Sequence, residues 1–475
     1  MIVSTRNELH TKASLAILEG LAKDKGLYIF DTFKQIDLNK CVNYNYQELS
    51  VYILSLVLDD YSLDEIRSCV YSAYDDKFDC KDIVKIHKLN ESADVLELYH
   101  GPTLAFKDMA LTILPHLFTL AKKKNKVKED TIILTATSGD TGGASLSGFK
   151  DVDGVKLIVF YPNGKVSKLQ EKQMLSFKSK NAKVIAYDGN FDDTQNFVKA
   201  MFNKYPKLSS SNSINLGRLV PQIVYYVYGY LQMVKNDEIK MGDKINVCVP
   251  TGNFGNILAA YIAYKMGLPV NKFICASNKN KVLADFFNTG VYDINRSFFK
   301  TNSPSMDILI SSNLERLLYL LFGSTNRFMD DLKNKGRFEL NKEELDKLNN
   351  FYGNYLDEEE TLKIINSTFN EDHYLIDTHT AVSLGVYYKY KKDTLDNTKT
   401  LVVSTASPYK FAPALIDALG IKCDGDEIEA LSKFTNTPIP KVILGYKDEK
   451  KEFWAKEDVN RLFEEVLKEF NYEEN

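Results

Sequence analysis

Thr131-Ile-Ile-Leu-Thr-Ala-Thr-Ser-Gly-Asp-Thr-Gly-Gly143 is the stretch that decides the fold. Its first seven residues are apolar or β-branched with almost no polar interruption. A Gly-rich turn then leads directly into a helical pattern over 142–149. An unbroken run of this kind suits a strand buried on both faces, with helices covering it. Reading outward, the same alternation repeats. A helix is expected at 109–124, then strands at 156–161 and 182–187, with helices at 166–178 and 191–204. A second set follows: helix 217–235, strand 245–249, helix 256–266, strand 273–276 and a late strand at 400–404. The expected fold class is therefore α/β, with two open parallel lobes, an N-terminal helical portion and a helical insertion.

The boundaries follow from these patterns. Residues 1–98 read as a mainly helical N-terminal domain. An amphipathic helix lies at 11–22, a short strand at 26–30 and two helices within 45–75. The second of these is capped by Ser62 with Glu65 three residues on. Residues 99–205 read as a smaller α/β lobe and 206–475 as a larger one. The helical, charged insertion lies at about 310–372. The basic run from Lys122 to Lys128 reads as a solvated helix end and loop.

Bulk composition excludes several classes. With 475 residues, 44% hydrophobic and 26% charged, the chain resembles globular proteins. A net charge of −4 offers no field for nucleic acid or an anionic membrane. The six cysteines are dispersed without a CxxC, and no HExxH is present, so neither a zinc site nor a disulfide framework is expected. A reducing cytoplasm fits this cysteine usage, and the first residues show no secretory h-region. The apolar stretch 219–234 is broken by Pro221 and reads as a buried helix, too short to span a bilayer.

The chemistry gathers at four places. Lys107 follows a Gly-Pro turn in His100-Gly-Pro-Thr-Leu-Ala-Phe-Lys-Asp108, beside an aromatic residue and before an apolar helix. An amine desolvated in this way can form a Schiff base with a carbonyl cofactor. Three turns lie directly after expected strands, where ligands bind in open α/β sheets. The turn 137–143 reads either as an anion site or as an ordinary strand-to-helix turn. Gly252, Asn253, Phe254, Gly255 and Asn256 read as a phosphate cradle or a plain glycine turn, and match neither the Walker nor the GxGxxG pattern. The turn 404–409 offers hydroxyls that could meet a heteroaromatic nitrogen, or simply marks a turn. Jointly, these are the parts for pyridoxal phosphate acting on an amino acid.

Several further motifs extend this pattern. They are Ser4-Thr-Arg6, Tyr161-Pro-Asn-Gly-Lys165, Leu169-Gln-Glu-Lys172, Asn212-Ser-Ile-Asn215 with Arg218, Ser303-Pro-Ser-Met-Asp307 and Asp377-Thr-His-Thr380. In this order, nearly end to end, the chain resembles the threonine synthases, within the fold type II (tryptophan-synthase-like) pyridoxal phosphate enzymes. The resemblance implies pyridoxal 5'-phosphate as cofactor. Lys107 would tether it and shuttle protons, Gly252 to Asn256 would hold its phosphate, and Thr405 would face its ring nitrogen. Asp140 would lie near its ring oxygen. Ser138 and Thr141 would hold the substrate carboxylate, and Asn212, Asn215 and Arg218 the substrate phosphate. Three positions depart from the family pattern: Ser407 stands for a frequent histidine, Tyr409 for alanine and Asn256 for aspartate.

The implied reaction turns O-phospho-L-homoserine and water into L-threonine and phosphate. A related phospholyase or a threonine dehydratase-like lyase would share the cofactor parts and release 2-oxobutyrate. A non-catalytic sensor is disfavoured by the intact lysine and both cradles, and a nucleotide-binding module by the missing fingerprints. The expected partner is the small-molecule substrate, with no nucleic acid and no membrane, and the chain is expected as a monomer or homodimer.

Overall fold

Two parallel sheets organise the chain, which the computed structural model describes over residues 2–7, 10–189, 191–205 and 207–472. The smaller sheet runs in the order Glu452–Trp454, Ala182–Tyr187, Val155–Pro162, Thr131–Ala136, with all neighbours parallel. All six residues of Thr131–Ala136 are buried, as an apolar run between two helical layers requires. The larger sheet has the order Phe351–Tyr355, Val270–Ser277, Ile245–Pro250, Thr400–Ser404, Ala93–Glu97, Lys85–Asn90. Its neighbours are parallel except for the final pair. The α/β architecture with two parallel sheets is the one expected.

Local signals hold where they are strongest. The helix Leu63–Ala73 begins with the capping box of Ser62 and Glu65, and Asn45 with Glu48 does the same for Tyr46–Val57. Two expected helices are each broken in two. Residues 109–124 form Asp108–Leu111 and Leu114–Lys124, with Pro115 in the first turn of the second helix. Residues 217–235 form Leu216–Leu219 and Gln222–Lys235, parted at Pro221. Proline lacks the N–H and its ring collides with the carbonyl four residues back, so each helix restarts there.

Other differences come from pairing between distant segments. The stretch 310–372 is not purely helical, because Phe351–Tyr355 within it is an edge strand of the larger sheet. Residues 85–97, expected within the N-terminal portion, supply two strands of that same sheet. At the other end, Glu452–Trp454 joins the smaller sheet, and Trp454 and Phe463 pack on Phe160 and Phe197 there. Strands of three to six residues carry too little periodicity to announce their sheet. Lys122 is also not solvated: its Nζ donates to the carbonyls of Glu129, at 2.8 Å, and of Gly154. No helix among the described residues is long and apolar enough to cross a membrane.

Candidate active site

The carboxyl ends of strands from both sheets open on one cavity of about 1100 Å³. Lys107 reaches it because the segment before it is stitched to the end of Thr400–Ser404. Ala105 and Ala406 form an antiparallel bridge, Phe106 N–H donates to Thr405 O at 2.8 Å, and Ser407 N–H donates to Leu104 O at 3.0 Å. Asp108 closes the turn by accepting from Thr103 N–H (2.8 Å) and Oγ1 (2.6 Å). Burial lifts the Asp108 carboxyl to about 6 against those bonds.

Lys107 stands just before the helix Asp108–Leu111, with its side chain 11% exposed. Its Nζ lies 3.3 Å from Asp140 Oδ2 and 3.5 Å from Ser305 Oγ. Burial lowers this amine below the ordinary lysine range. Asp140 opposes that, while the charges of Lys410 and Arg218 reinforce it. The net effect shifts the amine toward the free base, the form that attacks a carbonyl and accepts a proton.

The turn 137–141 is built by Thr137, whose Oγ1 accepts from the N–H groups of Gly139 (2.9 Å) and Gly142 (2.8 Å). Gly139 has φ +131°, and a Cβ there would lie 2.4 Å from Gln170 Cδ. Only glycine lets Gln170 come close enough to donate to Asp140 Oδ1 at 2.9 Å. Burial alone would raise the Asp140 carboxyl, but Lys410 and Lys107 outweigh it and hold it well below the usual carboxylate range. Ser138 and Thr141 line the cavity at the start of the helix Asp140–Phe149, where free N–H groups suit an anion.

The turn 252–256 opens the helix Gly255–Lys265 and also lines the cavity. A Cβ at Gly252 would stand 2.5 Å from Ser305 O, so the backbones approach as closely as glycine permits. Phe254 sits at φ +65°, a strained conformation for an aromatic residue, and its ring packs with Phe287 and Phe351. Asn253 contributes its carbonyl to Asn313 N–H at 3.1 Å. Asn256 Oδ1 accepts from the hydroxyls of Tyr225 (2.5 Å) and Tyr226 (2.6 Å), while its Nδ2 has no partner. An amide here, unlike a carboxylate, presents a donor and no negative charge to a phosphate.

Of the three residues expected at a second anion, two face the cavity. Asn212 lines it with an unpartnered Oδ1. Arg218 lines it too, buried, with Nη1 donating to Ser211 O at 2.7 Å and Nε unpartnered. Burial lowers its guanidinium to about 10. Asn215 does not fit that role. Its amide donates to Ile17 O and Ser210 O, and its Oδ1 caps the helix Leu216–Leu219 through Gly217 N–H. Asparagine is also a favoured helix N-cap, which explains the misreading.

Sequence reasoning gave no role to four residues that shape this site: Lys410, Ser305, Gln170 and His379. Lys410 Nζ lies 2.7 Å from Asp140 Oδ1. His379 donates from Nδ1 to Asp377 (2.7 Å) and accepts at Nε2 from Ser305 N–H (3.2 Å), which fixes the 303–307 loop. Ser305, Gln170 and His379 lie in motifs already noted, and Lys410 repeats the aromatic-flanked setting of Lys107. Thr405 lines the cavity, whereas Ser407 and Tyr409 do not; the Tyr409 hydroxyl turns away to donate to Thr437 O at 2.7 Å.

Two family models match: threonine synthase N terminus over residues 2–74, and pyridoxal-phosphate dependent enzyme over 95–406. The threonine synthase of Saccharomyces cerevisiae is 36% identical over 445 residues, covering 85% of this chain and 86% of its own. The chain belongs to the threonine synthase family. The human protein named threonine synthase-like 1 is 38% identical over 438 residues, covering 86% of this chain. The aligned part is 58% of the human protein's length. The crystal structure of pyridoxal phosphate-bound threonine synthase from Brucella melitensis superposes with a TM-score of 0.87 at 32% identity, covering 99% of each chain.

Membership places the chain among the fold type II, pyridoxal phosphate-dependent enzymes, and the cavity fits that cofactor. It holds a buried lysine biased towards the free base. It also holds a glycine cradle at a helix start with the spare donor Asn256 Nδ2, and a hydroxyl on Thr405 at a strand end.

Proposed function

We propose that the protein converts O-phospho-L-homoserine and water to L-threonine and inorganic phosphate. The observation that carries this reading is Arg218: a buried guanidinium facing the cavity, with no carboxylate paired to it among the described residues. The cradle at 252–256 answers one phosphate, that of the cofactor. Arg218 with Asn212 supplies a second anion site, as a phosphorylated substrate requires.

When bound, pyridoxal phosphate supplies the electron sink for charge that develops beside the substrate amine. Gly252 to Asn256 would hold its phosphate through backbone N–H groups and Asn256 Nδ2, with Thr405 toward its ring nitrogen and Asp140 toward its ring oxygen. Ser138, Thr141 and the first N–H groups of helix Asp140–Phe149 hold the substrate carboxylate. Lys107 Nζ takes the Cα proton and returns a proton later in the cycle. Arg218 and Asn212 would grip the phosphate on Cγ and balance its charge as it departs with loss of a Cβ proton; Cγ then takes up a proton and water adds at Cβ.

The test is to incubate the purified holoenzyme with O-phospho-L-homoserine and measure phosphate, threonine and 2-oxobutyrate. Equal amounts of phosphate and threonine are expected. Phosphate with 2-oxobutyrate and no threonine would replace this reading with that of a phospholyase, and no phosphate release would remove the phosphorylated substrate altogether.

A further inference from the structure

The site holds two buried lysines on one carboxylate, and they are not equivalent. Lys410 Nζ has three acceptors: Asp140 Oδ1 at 2.7 Å, Thr103 O at 2.8 Å and Gln173 Oε1 at 3.2 Å. An ammonium has three donors and no acceptor, so this pocket satisfies the charged form completely. Lys107 Nζ has only the longer contacts to Asp140 Oδ2 at 3.3 Å and Ser305 Oγ at 3.5 Å. The two carboxylate oxygens are thereby divided, and the shorter, better supported one belongs to Lys410. Gln170 Nε2 adds a further donor on that same oxygen.

We infer that Lys410 is a positioning residue that occupies the Asp140 carboxylate and so withholds it from the Lys107 amine. Lys410 touches neither the cavity nor the reacting atoms; it acts through Asp140. The other charged or titratable groups around Lys107 do not supply a competing counter-ion. Arg218, from the helix Leu216–Leu219, is a cation and works in the same direction as Lys410. Asp108, on the adjoining helix, is turned to Thr103. His379, from the helix Thr378–Thr394, has both ring nitrogens engaged elsewhere, Nε2 with Ser305 N–H and Nδ1 with Asp377. Among the described residues Asp140 is therefore the one anion paired with Lys107, and Lys410 decides how much of it Lys107 receives.

This inference rests on Lys107 being the cofactor-bearing amine, and not on the identity of the substrate. The assay is capture of pyridoxal phosphate by the apo enzyme, in which amine and aldehyde condense with loss of water. It is followed as the rise of visible absorbance from pH 6 to 9.5. Only the unprotonated amine attacks, so the rate follows the free-base fraction of Lys107. In wild type, the rate should level off below the ordinary lysine value of about 10.4.

In Lys410→Met, Lys107 is left as the one cation paired with Asp140 among the described residues. The curve should move to higher pH by about one unit or more, which is about tenfold slower capture at pH 7. Lys410→Arg keeps the charge and should restore the wild-type curve to within about threefold, and Lys410→Met with Asp140→Asn should do the same by removing both charges. A folded Lys410→Met whose curve superimposes on wild type overturns the inference, and so does a double variant that stays displaced. If Lys410→Met does not fold, wild type decides alone: a midpoint at the ordinary lysine value overturns the inference. Lys107→Ala in the same assay separates the two readings, since capture that persists there removes Lys107 as the tether and leaves the Lys410 comparison without its object.

Discussion

Replacing Arg218 by methionine should move stability and activity in opposite directions. Burial lowers the guanidinium from 12.5 to about 10. At about 1.4 kcal/mol per pKa unit, holding that charge in the ligand-free protein costs ~3 kcal/mol. The side chain returns one charge-assisted hydrogen bond to Ser211 O, worth about 1.5 kcal/mol, and its Nε has no partner. Methionine fills similar volume without a charge, so the apo protein should gain roughly 1–2 kcal/mol, in line with other buried charges exchanged for apolar groups. Against a phosphorylated substrate the same variant loses a charge-assisted contact worth about 1.5–3 kcal/mol, or about 10- to 150-fold in kcat/KM. Urea unfolding of the apo forms gives the first quantity and steady-state kinetics the second. An apo variant destabilised by more than about 1 kcal/mol, with kcat/KM unchanged, would mean that Arg218 braces the 211–218 loop and binds no anion.

Lys107→Ala should abolish turnover and the visible absorbance of the bound cofactor while the far-ultraviolet circular dichroism stays native. Gly139→Ala forces an L-residue to φ +131° and pushes Gln170 off Asp140, so a loss of about 2 kcal/mol or more in urea unfolding is expected, together with a raised KM; an unchanged unfolding midpoint would discard that account of the turn. His100 lies 2.6 Å from Asp79 and 2.9 Å from Glu97. Burial alone would lower its pKa, yet the two carboxylates raise it to about 9. Because the folded value lies above the unfolded one, His100 contributes its full ~3 kcal/mol below pH ~6.5, and loses it as pH climbs through about 9. Thermal melts of wild type and His100→Gln should therefore converge by pH ~9.5, and a constant gap across that range would count against the pairing.

The sequence marked most of the site because its parts are local. The glycine turn at 252–256 and the turn at 137–143 each directly follow a strand, and Lys107 is marked by the Gly-Pro turn and the aromatic residue before it. Each can be recognised from neighbours along the chain. The helix caps at Ser62 and Asn45 are legible for the same reason. Asn215 was misplaced because a capping asparagine and a ligand-binding asparagine look alike in one dimension, and only the three backbone partners separate them.

The sequence by itself determined the class of the fold and singled out Lys107 as the candidate amine. Buried strands alternating with helices can pack in few ways, and a lysine between Phe106 and a helix start is chemically distinctive. Tertiary structure alone decided what surrounds that amine. Thr400–Ser404 inserts between Ala93–Glu97 and Ile245–Pro250, and this pairing across some 300 residues of chain brings Thr405 and Lys410 to Lys107. It also decided that Asp140 answers two lysines unequally and that Arg218 has no carboxylate partner among the described residues. Periodicity reports how a segment meets its own layer. It carries no information on which charges from distant segments meet in a dry cavity, where ångström differences in distance set their protonation.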